Sequence, residues 1–299
     1  MVNKLDLYRI FIIVGQHESF SKAAKHLYMT QSAVSQAMKQ LEKELDTRLF
    51  TRNQKGVSLT DEGALLFDYV YSAINLIRTG EEKILEFKNL TAGELKIGVG
   101  DTISKYFLLS YLETFHNNYP KIRFKLVNGT TTEVTALLKS GDVDVIVCNF
   151  PLKDPTLEQL PCMEIQDIFV CGEVYKQKIK EPLAMKALNE LPLIFLEPNS
   201  NSRHYVEDFL LSKGIKLEPE FELGSYDLLL EFAKINLGIA CVTREFSKEY
   251  LQKGIVHEIQ MKDQIPPRNV GVAYLKSVPL SPASKKFVEV IQEGQNESC

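Results

Sequence analysis

The sequence predicts an α/β chain: a small helical head with a two-stranded wing, one long helix, and a two-lobed body. Three observations predict it. Ser19–Leu41 reads as two short helices with a tight connection, followed by a strand, a glycine-containing loop and a second strand. Residues 60–88 keep an apolar stripe at helical spacing without a break. From Glu94 onward, short apolar strands alternate with helical patterns.

In the head, Phe20 and Ser21 suit a hydrophobic staple and an N-cap, and Ala23, Ala24 and Leu27 form an inward stripe. Tyr28-Met29-Thr30 is a brief link, with Thr30 a second N-cap. The next helix, about Gln31 to Glu44, buries Val34, Ala37, Met38 and Leu41 at i, i+3, i+4, i+7. Its other face carries Gln31, Ser32, Ser35, Gln36, Lys39 and Gln40, with no acid before Glu42. A solvated helix face is usually rich in Glu–Lys pairs. Neutral hydrogen-bonding side chains can instead read base edges, and Lys39 can meet a phosphate. A plain helical hairpin is the bland alternative. Asp46–Arg52 then starts a strand, Asn53-Gln-Lys-Gly56 turns, and Val57–Leu59 returns. This wing places Arg48, Arg52 and Lys55 as phosphate contacts.

Five segments carry a resemblance: Ser19-Phe-Ser-Lys-Ala-Ala, Thr30-Gln-Ser-Ala-Val-Ser, Leu41-Glu-Lys-Glu-Leu, Leu49-Phe-Thr-Arg and Leu59-Thr-Asp-Glu-Gly63. Together they resemble the N-terminal signature of LysR-type transcriptional regulators, without a gap over about sixty residues. The resemblance implies a winged helix-turn-helix on double-stranded promoter DNA and a linker helix that makes a homodimer or homotetramer. It also implies a periplasmic-binding-protein-like (type 2) domain that takes a small-molecule effector between its lobes. No cofactor is implied.

The charge distribution agrees. Residues 1–60 hold nine Lys/Arg and five Asp/Glu, a net +4, while the whole chain is −4. A basic head on an acidic body fits nucleic-acid contact at one end. The N-terminus shows no signal-peptide pattern and no segment approaches a membrane span, so a cytoplasmic chain without a membrane partner is expected. The cysteines Cys148, Cys162, Cys171, Cys241 and Cys299 form no C-x-x-C, and no histidine stands at metal-ligand spacing. Reduced thiols are expected. Cys162 and Cys171 are close enough in sequence to raise a redox pair, as in some peroxide-sensing members of the family.

Thr60 is a likely-placed N-cap for the long helix, with Asp61 and Glu62 at its positive end. Its apolar positions are Leu66, Tyr69, Val70, Ala73, Ile74, Ile77, Ile84 and Leu85. Leu66–Ala73 and Ile77–Ile84 keep a seven-residue repeat, which suggests a coiled-coil-like dimer seam. The expected division is a head at 1–60, a linker helix at 61–90 and an effector domain at 91–299. Proline-rich breaks at 151–161 and 265–268 divide that domain into one lobe at about 92–161 and 267–299, and another at about 162–266.

Gly98-Val-Gly100-Asp-Thr102-Ile-Ser104 resembles a dinucleotide fingerprint, but Ile103 stands where the third glycine belongs. It reads better as a strand-to-helix turn with backbone N–H groups and the Thr102 hydroxyl free for a ligand. Asn128–Thr132, Asn149-Phe150, Glu197–Arg203 and Gly224-Ser225-Tyr226 put further hydroxyl and amide groups at strand ends. Helix capping alone explains any one of these turns. Their recurrence points to a small polar or anionic effector. In the resembled family, the positions of Gly100, Thr102, Thr130, Asn149 and Ser202 line the effector cleft, and several members carry Ser or Thr at the first of these. Arg203 is either an effector counter-ion or a surface residue on its helix, and Tyr226 is a further cleft candidate.

No G-x-S-x-G, H-E-x-x-H or P-loop occurs, and no catalytic residues or metal ligands are assigned. The competing reading is a cytosolic small-molecule-binding protein or enzyme whose head only mediates oligomerisation.

Overall fold

Helix α1 (Val2–His17) turns Leu7, Ile10, Phe11 and Val14 inward at i, i+3, i+4, i+7, and so supplies one wall of the head. The computed structural model describes residues 2–53, 56–88, 93–179 and 182–296. Helices α2 (Phe20–His26) and α3 (Gln31–Glu44) close on α1. Ala23, Ala24, Val34, Met38 and Leu41 join its core, with Phe11 edge-on to Phe50 at 5.4 Å. The cap of α2 is Ser19, which accepts from the Lys22 N–H, so Phe20 opens the helix and Ser21 lies within it rather than capping it. Strands β1 (Phe50–Asn53) and β2 (Gly56–Leu59) form the wing, with Asn53 opposite Gly56.

Helix α4 (Asp61–Lys88) starts on Thr60, whose hydroxyl accepts from the Gly63 N–H at 2.9 Å. Its inward face is Leu66, Val70 and Ile74, packed in the head core. Leu65, Tyr69, Ala73, Ile77 and Ile84 are exposed. The expected seam is therefore corrected: Leu66, Val70 and Ile74 are occupied within the chain. Leu65 joins the free stripe in their place, and Leu85's side chain lies outside the described residues. The chain clusters into two compact units, 1–90 with 139–142, and the remainder.

The second unit holds two five-stranded sheets. The first has the order β4-β3-β5-β12-β6, from β3 (Gly93–Val99), β4 (Ile122–Asn128), β5 (Val145–Phe150), β6 (Leu157–Ile165) and β12 (Arg268–Leu275). β4, β3 and β5 run parallel, and β12 is antiparallel to both its neighbours. The second has the order β11-β7-β10-β8-β9, from β7 (Asp167–Cys171), β8 (Leu193–Leu196), β9 (Phe221–Leu223), β10 (Ile239–Thr243) and β11 (His257–Glu258). Parallel strands need crossover helices. These are α5 (Asp101–Ile103), which runs through a π turn at Ser104–Leu108 into α6 (Leu109–Asn118), then α7 (Thr131–Ser140), α8 (Glu173–Lys178), α9 (Asn201–Ser212), α10 (Tyr226–Lys234) and α11 (Lys248–Gln252). The last helix, α12 (Pro282–Asn296), packs Phe287 and Ile291 with the first sheet's Leu95 and Ile97.

The two-lobed layout stands, with a correction. Residues 151–161 are not free of structure: β6 begins at Leu157 and carries the first sheet to Ile165. The chain changes sheets between Ile165 and Asp167 and returns at Arg268. Asp167 and Arg268 face each other there as a buried ion pair, Nε to Oδ2 at 2.6 Å and Nη2 to Oδ1 at 2.9 Å.

Candidate functional site

In the head, the turn between α2 and α3 is sharpened by Tyr28, whose φ of 55° is left-handed and whose side chain is 99% exposed. Thr30 caps α3 by accepting from the Ala33 N–H at 3.2 Å, and its Oγ1 lies 3.0 Å from that of Ser32. Thr30 thus positions the helix rather than offering a free hydroxyl. Gln31, Ser32, Gln36 and Lys39 are exposed and Ser35 is half-buried, as their face requires. Among the described residues, the side chains of Gln31, Ser35, Gln36 and Lys39 have no intramolecular hydrogen bond, whereas Gln40 donates to Glu44 at 3.1 Å. Glu42 fixes the wing to α3 by accepting from the backbone N–H of Leu49 (2.8 Å) and Phe50 (3.3 Å). Arg48 is exposed at the wing's base. The backbone of Arg52 pairs with Val57, its side chain is not described, and Lys55 lies outside the described residues.

In the second unit, the carboxyl ends of the parallel strands and the helix N-termini that follow them enclose a cleft of about 300 Å³. Gly100, Thr102, Thr130, Asn149, Ser202 and Tyr226 all line it. Gly100 caps α5 without a side chain, and a Cβ there would stand 3.3 Å from the Gly129 carbonyl. Thr130 and Glu133 form a reciprocal capping box: Thr130 N–H and Oγ1 donate to Glu133 Oε2 at 2.7 and 2.9 Å. Those bonds hold the Glu133 carboxyl below its ordinary range.

Two candidates change role. Arg203 does not line the cleft. It is buried, with Nε on Glu207 at 2.7 Å and Nη1 on Glu222 at 2.6 Å and on the Leu196 carbonyl at 2.8 Å. It is neither a counter-ion for an effector nor a surface residue. Its partners neutralise it and tie α9 to the sheet. Tyr226 lines the cleft with its ring only. Its hydroxyl donates to the Thr243 carbonyl, accepts from the Thr243 N–H and meets Ser247 Oγ, and burial pushes it above the usual tyrosine range.

A third group, unforeseen from sequence, sits beneath Ser202. Ser202 Oγ accepts from Arg268 Nη2 at 3.1 Å and lies 3.5 Å from Asn149 Nδ2. Thr243 Oγ1 donates to Asp167 Oδ1 at 3.1 Å. Asn149 Oδ1 and Arg268 Nη1 are buried without a partner. Residues from both sheets thus converge on one serine hydroxyl. On the flank, Lys105 and Tyr106 of the π turn both bond Asp227 of α10, and Tyr106 stacks on Phe246 at 5.4 Å.

The cysteines do not form the redox pair raised from sequence. Cys162 packs with the first sheet and Cys171 lies in the core of the second, and all four described cysteines are free thiols. Burial pushes the Cys148 thiol up to about 12 and Cys171 to about 11. Native protein treated with iodoacetamide at neutral pH is therefore expected to leave Cys148 and Cys171 unmodified by peptide mass mapping, with rapid labelling of either contradicting their burial.

The family model for the bacterial regulatory helix-turn-helix protein of the lysR family matches residues 5–64, and that for the LysR substrate binding domain matches residues 88–296. The chain belongs to the LysR family. It is a LysR-type transcriptional regulator with a DNA-binding head and an effector-binding domain. A probable RuBisCO transcriptional regulator of Emiliania huxleyi is 26% identical over 274 residues, covering 90% of this chain and 87% of that protein. The HTH-type transcriptional regulator CzcR of Bacillus subtilis (strain 168) is 27% identical over 299 residues, covering 97% of each. Full-length CbnR in complex with its target DNA shares the fold at a TM-score of 0.64 and 17% identity, over 97% of this chain and 99% of that one. No helix among the described residues is long and apolar enough to cross a membrane.

Proposed function

We propose that α3 reads promoter DNA in the major groove through Gln31, Ser32, Ser35 and Gln36, with Thr30 setting the helix start. Lys39, Arg48, Arg52 and Lys55 neutralise backbone phosphates. The observation that carries this reading is the unpartnered polar face of α3, rigidly held by Val34, Met38 and Leu41. The free stripe on α4 pairs two or four copies, so that two heads meet DNA at a fixed spacing. The cleft takes a small polar effector through Thr102, Asn149, Ser202 and the backbone at Gly100, and the chain acts in the cytoplasm, not as an enzyme. We divide it as 1–60, 61–90 and 91–299. An effector shifts the output only by favouring one arrangement of the lobes over another.

Gel-shift titration against the DNA upstream of its own gene tests the assignment of roles. Gln36→Ala is expected to cost about 1–3 kcal/mol on the cognate site and to narrow its margin over random DNA. Arg48→Ala is expected to weaken both alike and reduce the salt slope by about 1. Unchanged affinity in both variants sinks the assignment.

A further inference from the structure

The cleft is acidic. Its lining includes Asp101, Glu133 and Glu197, all exposed, and no Lys, Arg or His. They stand on separate elements: the first residue of α5, the first turn of α7, and the turn after β8. The basic side chains on flanking elements are engaged elsewhere, Arg203 with Glu207 and Glu222, and Lys105 with Asp227 at 2.7 Å. The capping box fixes Glu133 in its ionised form.

A second observation points the same way. Asn149 Oδ1 belongs to a cleft-lining residue, is wholly buried and has no hydrogen-bond partner. A buried acceptor without a donor is costly, and it selects for a ligand that brings one. Three carboxylates and an amide oxygen all accept. A carboxylate-only ligand supplies no donor and meets like charges. A protonated amine supplies up to three N–H groups and the opposite charge.

We propose that the effector carries a protonated amine, whose N–H groups donate to this set of acceptors. The proposal rests on the cleft being the effector site and names the chemistry that the site selects. The amine has two sources. An amino acid would also place its carboxylate at the N-termini of α9 and α10, where backbone N–H groups favour anions. A diamine would use the acidic lining alone.

The test is isothermal titration of the full-length protein with L-lysine, 1,4-diaminobutane and glutarate at neutral pH and low salt. At least one amine binds and glutarate does not. Binding by lysine alone identifies the amino-acid source, and binding by the diamine identifies the other. Asp101→Asn and Glu197→Gln each weaken amine binding about fivefold or more, with circular dichroism unchanged. Glutarate binding, absence of amine binding, or amine binding indifferent to both substitutions overturns the proposal. Thr102→Trp, which fills the cleft, separates the two readings. Glutarate binding that it abolishes removes only the charge assignment, whereas binding of any probe that survives it removes the cleft as the site.

Discussion

Replacing Arg268 with methionine is expected to lower the melting temperature of the effector domain by about 10 °C. The side chains of Arg268 and Asp167 are 2% and 3% exposed, and their two hydrogen bonds join the points where the chain leaves and re-enters the first sheet. Removing one partner strands a buried carboxylate, whose remaining side-chain donor is Thr243. Breaking such a pair costs about 3–5 kcal/mol, far beyond an exposed ion pair's 0–1. Adding Asp167→Asn removes the stranded charge and is expected to recover much of the loss, because the cost lies in the unpaired ion rather than in a missing attraction. The Ser202 hydroxyl loses its Arg268 donor in both variants, so effector binding is expected to stay impaired where stability returns. Calorimetric melting with and without ligand reads both effects. A shift under about 2 °C for Arg268→Met contradicts the role given to the pair.

Gly63→Ala is expected to destabilise the head by about 2–4 kcal/mol. A Cβ on Gly63 would lie 2.1 Å from the Leu49 carbonyl oxygen and 3.0 Å from its carbon, both backbone atoms. Alanine gains about 1 kcal/mol of helix propensity over glycine, too little to offset a displaced wing. Leu49 also accepts from the Thr60 N–H, so moving it disturbs the junction that starts α4. DNA binding falls in proportion to the fraction of folded heads. A variant that binds DNA like the parent and melts unchanged contradicts the close approach.

Much of this was legible in the residues, and the exceptions have physical causes. β7 and β8 end where their apolar runs end, and α3 follows its own stripe. β6 escapes notice because Pro161 interrupts it. The strand lies at the edge of its sheet, where a missing N–H is tolerated, and the register slips beside that proline between Val270 and Gly271. α1 lies outside the Gly15–Leu59 stretch on which the reading centres, although Leu7, Ile10, Phe11 and Val14 keep the helical interval. On α4 the repeat was visible, but not which of two adjacent stripes the head would claim for itself. At the cleft, strand-end hydroxyls and amides marked the lining correctly. The role of Arg203 and the buried Asp167–Arg268 pair could not be read, since their partners Glu222 and Asp167 are 19 and 101 positions away. The acidic balance of the lining arises in the same way, from residues that only the fold assembles.

The central claim is that two basic heads, paired through α4, hold DNA by its phosphates and read it with α3. Affinity for the DNA upstream of the protein's own gene, measured across salt concentrations, tests it most directly. A pair neutralising ~6 phosphates gives a slope near −5 in log K against log salt, and tighter binding to that site than to random DNA. A flat salt response, or no binding to any DNA, contradicts it.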